Sequence, residues 1–193
     1  LYKLKSCYFA IMQNKELNFF NFDGFQYKEE EGEFYTEGFV ATTHPDRAKK
    51  GEYAGDILTK NAIQSIVEQI NNRKDMMADL VSYKHDWVKQ ANPQIAPVGR
   101  AVFAEVRQMD GGHVGAWVKT HHNKINPKFN DVKYEVEKKY ITGHSIEYKN
   151  DKSKDVLLKE GKYRLMDGLD LVGYAFVDGR NIANPKATIE SLS

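Results

Sequence analysis

Three residues in separate stretches of the chain could together activate a nucleophile. Ser145 sits in Tyr140-Ile141-Thr142-Gly143-His144-Ser145-Ile146-Glu147-Tyr148. A glycine followed by an apolar, β-prone run places this serine near the start of a strand, beside a turn that lets a ligand approach the backbone. A serine hydroxyl is inert alone and needs a base within hydrogen-bond reach. His85, in Val81-Ser82-Tyr83-Lys84-His85-Asp86-Trp87, is the candidate base, because it lies where a β-run gives way to a loop and its imidazole can cycle near neutral pH. Asp170, in Gly168-Leu169-Asp170-Leu171-Val172-Gly173-Tyr174, is an acid inside an apolar strand. A buried carboxylate needs a partner, and orienting a catalytic histidine is one such partnership. Taken singly, each has a plainer reading: a structural strand serine, a surface histidine between charged neighbours, and a solvent-facing strand acid.

A second chemistry, a metal hydrolase built on His113, His121 and His122, is much the weaker. Adjacent strand residues point to opposite faces, so His121 and His122 cannot share an ion. His113 and His121 lie too far apart along an extended chain, and neither a carboxylate nor a cysteine motif completes a site. The reading therefore expects neither metal nor cofactor. His44, before Pro45, reads as a loop residue.

Composition removes other classes. The chain has 193 residues, sized for one domain spanning 1–193, with 41% hydrophobic and 12% aromatic residues, enough apolar mass for a core. Its 28 basic residues against 27 acidic ones generate no field to draw in nucleic acid or an anionic membrane. Lys49-Lys50 and Lys138-Lys139 are pairs, not patches. No apolar run approaches the roughly 20 residues that span a bilayer, and no cleaved leader is expected. The single cysteine, Cys7, lies among Tyr8, Phe9 and Ile11, as a packed strand thiol would, and excludes an internal disulfide.

The elements that must position the three residues follow from periodicity. Strands are expected over 2–12, 17–22 and 34–42, punctuated by Gly24 and by a solvated acidic loop at Glu29-Glu30-Glu31-Gly32. After a loop over 44–56, Thr59 caps a helix whose Ile63, Ile66, Val67 and Ile70 form one apolar stripe. A short strand over 80–83 leads to His85. Residues 98–107 and 113–120 form a hairpin around Met109-Asp110-Gly111-Gly112. A second helix starts at Pro127 with Asn126 as cap, burying Phe129, Val132, Val136 and Tyr140. The last core strands are 142–148 and 169–177, with a charged, flexible excursion over 150–162 between them. The sum is an α+β domain: a mostly antiparallel, barrel-like sheet with packed helices.

In that order, these segments resemble the prohead proteases of tailed bacteriophages, capsid-maturation enzymes related in fold to the herpesvirus assembly proteases. The resemblance covers about residues 37–187. Glu37-Gly38-Phe39-Val40-Ala41 with Asp46 and Gly55-Asp56-Ile57-Leu58 looks like the family's opening strand, aspartate-rich loop and helix entry. Tyr83-Lys84-His85-Asp86 with Pro97-Val98-Gly99 looks like its histidine motif, and Gly143-His144-Ser145-Ile146 like its serine strand. Residues 170–176 with Ala183-Asn184-Pro185-Lys186-Ala187 resemble its final strand and ending, although 177–182 form an insertion.

The resemblance implies a herpesvirus-protease-like fold and a serine endopeptidase with Ser145 as nucleophile and His85 as general base. The third member is implied near Asp170, where the family usually carries glutamate or histidine. It further implies a viral scaffold or major capsid protein as substrate, a homo-oligomer, and a place inside a procapsid in the host cytoplasm. Self-cleavage would agree with a chain that begins at Leu1 and ends near Ser193. Backbone amides or an arginine would face the oxyanion; Arg164 and Arg180 lie in the right region but read as solvated. The alternative is a protease-like fold without activity, kept as a scaffold or capsid-interaction domain.

Overall fold

The computed structural model describes residues 19–22, 25–30, 32–46, 52–72, 78–86, 96–179, 184, 186 and 187. The expected first strand with Cys7 and the side chain of Arg180 lie outside the described residues. Nine strands form one sheet, and two α-helices accompany it among the described residues. The strands are β1 (Phe19–Phe22), β2 (Phe25–Glu30), β3 (Glu33–Thr42), β4 (Gly55–Leu58), β5 (Leu80–Tyr83), β6 (Gly99–Gln108), β7 (Val114–His122), β8 (Gly143–Leu158) and β9 (Gly161–Val177). The helices are α1 (Lys60–Asn72) and α2 (Phe129–Glu137).

The sheet runs β1-β2-β3-β7-β6-β5-β9, and β9 then pairs β8 on one edge and both β4 and β5 on the other. Pairing is antiparallel except where β4 and β5 join β9. The sheet curls until β8 approaches β3, where the ring Nδ1–H of His144 donates to the Phe39 carbonyl at 3.0 Å. The result is an open half-barrel with a seam between β3 and β8, and a cavity of about 210 Å³ lies along it.

Side chains complete the ladder where strands leave gaps. Between its pairings with β4 (through Met166) and β5 (from Tyr174), β9 would expose backbone groups. Gln69 of α1 covers them: its amide donates to the Leu169 carbonyl at 2.9 Å and accepts from the Leu171 amide at 2.8 Å. Asn71 treats Ala104 of β6 the same way, through bonds of 2.8 and 3.2 Å. Buried backbone groups require such partners, so α1 is fixed in register as well as by its apolar stripe. That stripe is the expected one: Ile63, Ile66, Val67 and Ile70 are buried, and Thr59 accepts a bond from the Ala62 amide.

Four expectations need correction. The acidic run is partly strand, because β2 continues through Glu30 and turns at Gly32 (φ 78°). The loop before α1 contains β4, and it runs parallel to β9. Residues 150–162 are not a loose excursion: β8 and β9 form one long ribbon whose pairing reaches Leu158 and Gly161. Backbone hydrogen bonds carry such a ribbon without an apolar face, and Lys162 ties Asp155 and Glu52 together across it. Finally, α2 stops at Glu137, with Lys139 left-handed (φ 61°), so Tyr140 is exposed while Val132 and Val136 are buried. The helix also starts at Phe129 rather than Pro127, with Lys128 at the cap position, and Asn126 instead closes the preceding turn by accepting from the Lys128 amide at 2.8 Å.

Two histidines lie inside the core. His122 stacks on Phe176 (5.0 Å between centroids, 11°), and its Nε2 meets the Thr36 hydroxyl at 3.0 Å. Burial pushes the His122 ring down to about 3 and the His144 ring down to about 4. Both are neutral in the native state and take up a proton on unfolding below their unperturbed value of 6.5. Stability is therefore complete above that value and falls with acid. The expected loss between pH 6.5 and 5 is roughly 3 kcal/mol for the two rings together. Urea denaturation across that range checks it; an unchanged midpoint would contradict two buried neutral histidines.

Candidate functional site

The site assembles on three neighbouring strands, β5, β9 and β8. In register, Ser82 and Ser145 both flank Ala175, one from each side, and Glu147 sits opposite Gly173. Residues in register share a face, and strand residues two apart share it too. Ser82, Ser145, Glu147, Gly173 and Ala175 therefore lie on one face of the sheet. The other face carries His144, Tyr174 and Phe176, whose rings pack together in the core. Ala175 and Val177 belong to a separate small cluster with Ala187, as the alternation requires.

Gly173 and Ala175 have almost no side chain, which leaves a lane above β9. The Glu147 carboxylate reaches across this lane. Its Oε1 accepts from the Ser82 hydroxyl at 2.7 Å and from Nδ1 of His85 at 2.9 Å. The Glu147 side chain is only 3% exposed, whereas that of His85 is 23% exposed. Oε2 takes no hydrogen bond among the described residues. An ionised carboxylate can only accept, so Nδ1 carries the proton and Nε2 presents its lone pair. This is a part-exposed imidazole with a buried carboxylate behind it, at the face that also carries Ser145.

The turn presenting His85 is strained and clamped. Lys84 and His85 are both left-handed, with φ of 54° and 60°. Each such non-glycine residue costs about 1–2 kcal/mol and persists only where its surroundings dictate it. Here the Lys84 amide donates to the Phe176 carbonyl at 3.0 Å, and the Tyr83 amide donates to Oδ1 of Asp86 at 3.2 Å. From α2, Glu135 takes the Tyr83 hydroxyl (3.0 Å) and the Lys84 ammonium (2.9 Å), and Lys128 pairs with Asp86 at 3.5 Å. The two consecutive left-handed residues turn the chain so that the ring meets Glu147.

The third expected residue lies elsewhere. Asp170 is exposed and opposite Lys149, five positions along β9 from Ala175, on the order of 16 Å away. The register shifts between Gly173 and Leu171, and both Leu171 and Tyr174 lie in the core, so distance along the strand and not the face sets Asp170 apart. Glu147 holds the place at the imidazole instead. The sequence signal for it is an acid two residues beyond the serine on one strand, which must share the serine's face. Arg164 is paired rather than solvated: its guanidinium makes two 2.8 Å bonds to Asp56 on the distant half of β9.

The remaining histidines are dispersed. His121 bonds Glu33 at 2.8 Å on the face opposite buried His122, as alternation requires, while His113 stacks on His44 with centroids 3.7 Å apart. Among the described residues no group of three metal-ligating side chains forms. The seam cavity is lined by Ser145 together with Val40, Leu58, Ile146, Met166 and Ala187.

Strain in the turn has a measurable consequence. Lys84→Gly and Lys84→Ala both lose the pair with Glu135, but only glycine adopts φ 54° without cost. The glycine variant is expected to be about 1 kcal/mol more stable than the alanine variant, the reverse of an ordinary position. Thermal or urea unfolding of the two checks this; an alanine variant at least as stable would contradict it.

No protein-family model matches this sequence, and no match is found among curated proteins or solved structures. The chemistry of the site is therefore argued from the chain's own residues.

Proposed function

We propose that the chain is a serine endopeptidase in which Ser145 is the nucleophile, His85 the general base, and Glu147 the carboxylate that orients the ring. One observation carries this reading: a buried carboxylate on Nδ1 of a part-exposed imidazole, on the face that bears Ser145. The ring is bonded to Glu147 rather than to the Ser145 hydroxyl here. Such hydrogen bonds are commonly long in an unliganded site and tighten with substrate.

The reaction runs through an acyl-enzyme. Nε2 of His85 takes the Ser145 proton as Oγ attacks the scissile carbonyl carbon. The imidazolium, held by Glu147, then gives that proton to the departing amine. Water attacks the resulting ester by the same route in reverse and restores the serine. The two donors on one oxygen of the carboxylate offset the cost of burying its charge.

The substrate and setting follow from the resemblance to prohead proteases. The proposed substrate is a viral scaffold or the scaffolding segment of a capsid protein, with the chain acting as a homo-oligomer within a procapsid in the host cytoplasm. The curled, mostly antiparallel sheet is compatible with a herpesvirus-protease-like fold. A glutamate on the ring agrees with the residue type the family favours, although it comes from the serine strand and not from the final one. No helix among the described residues is long and apolar enough to cross a membrane.

Labelling with a serine-directed aryl phosphonate tests the reading. Modification is expected on Ser145 and should vanish in Ser145→Ala. Glu147→Gln, which favours the wrong tautomer, should slow labelling by about 10²–10⁴-fold. Asp170→Asn should stay within about twofold of the parent. Absence of labelling, in the isolated chain and in assembled particles alike, would favour the inactive scaffold domain instead.

A further inference from the structure

We infer that Ser82 is a positioning residue for the His85 base, acting through the one Glu147 oxygen that both residues contact. The inference rests on the proposed role of His85 and extends it to a residue outside the nucleophile–base–acid set. Ser82 is fully buried in β5, three positions before His85, so one strand and the turn that follows it supply both the base and the group that holds the base's partner.

The geometry explains what the hydroxyl must do. A glutamate side chain has three rotatable torsions, and Glu147 starts from β8, beyond β9. One donor alone would leave its carboxylate able to swing about that bond. Ser82, at 2.7 Å from Oε1, gives a second fixed point from the far side of the lane. With both donors on the same oxygen, Oε1 is held in place for Nδ1, and the ring's Nε2 is aimed in turn. Holding a catalytic group through a second layer of hydrogen bonds is what keeps a reacting geometry tight. A hydroxyl has a single proton, and this one is given to the carboxylate.

The bond also tempers the carboxylate. A donated O–H spreads part of the negative charge of Glu147, so less of it acts on the imidazolium. Removing the hydroxyl should leave the ring easier to protonate and less well aimed. Among the described residues, the charged groups around the ring are Glu147 from β8, Lys84 and Asp86 on its own turn, and Glu135 of α2 with Lys128 just before that helix, which pair with those two. Ser82 touches only Glu147 among these, so a change in the ring's titration reports that carboxylate.

Two readouts test the inference on the full chain. The first is the pH-dependent rate of aryl phosphonate labelling, resolved into maximal rate and half-saturating concentration. The second is NMR titration of the His85 ring, which does not depend on activity. In Ser82→Ala, the maximal labelling rate is expected to fall roughly tenfold with the half-saturating concentration unchanged, and the ring should titrate at higher pH. Ser82→Cys, which keeps the volume but donates weakly, should behave alike, and Ser82→Thr should restore both properties. Should the alanine variant fail to fold, the cysteine variant decides. Parental rates and an unmoved ring titration in a folded variant would overturn the role of Ser82. A parent protein that is never labelled, but whose ring titration moves in the variant, would refute the protease reading while leaving the positioning role standing.

Discussion

The hydrogen bond between Glu147 and His85 is the constraint around which this part of the molecule is arranged. It joins two strands that are not neighbours, across a third. For it to form, β9 must present little more than backbone beneath it, which Gly173 and Ala175 provide. The turn after β5 must place two non-glycine residues in left-handed conformations, which α2 and the Phe176 carbonyl enforce. The carboxylate must also accept near-complete burial with donors on one oxygen only. Each of these is costly alone, and together they hold the ring against Glu147, which shares its face with Ser145.

The scaffold achieves this by anchoring β9 along its whole length. The long ribbon with β8 fixes one edge; β4, the Gln69 amide and β5 fix the other in sequence. A strand so held cannot slip by one residue without turning Ala175 toward the core and Tyr174 out of it. Register is thus set by the core face, where His144, Tyr174 and Phe176 pack, and the opposite face inherits its geometry. The two buried neutral histidines are part of that same core.

Much of this was legible in the residues. The apolar stripe of α1, the hairpin of β6 and β7, and the strand leading to His85 follow from spacing alone. So does the placing of Ser145 on a strand behind Gly143. What escaped was whatever depends on pairing between distant segments. The charged run 150–162 has no apolar alternation, yet it pairs because β9 offers a complete ladder. By sequence alone Asp170 outranks Glu147, because an isolated acid in an apolar strand looks buried. Only the register shows that Asp170 lies too far along β9, whereas Glu147 shares the serine's face and meets the imidazole. The strained turn at Lys84 and His85 left no mark in the sequence, since neither residue favours that conformation.

The most direct measurement is the crystal structure of the protein after reaction with an aryl phosphonate. The account predicts phosphorus bonded to Oγ of Ser145, with Nε2 of His85 within about 3.2 Å of a phosphonyl or serine oxygen and Nδ1 still on Glu147. Phosphorus on another residue, or a His85 ring turned away from the adduct, would contradict it.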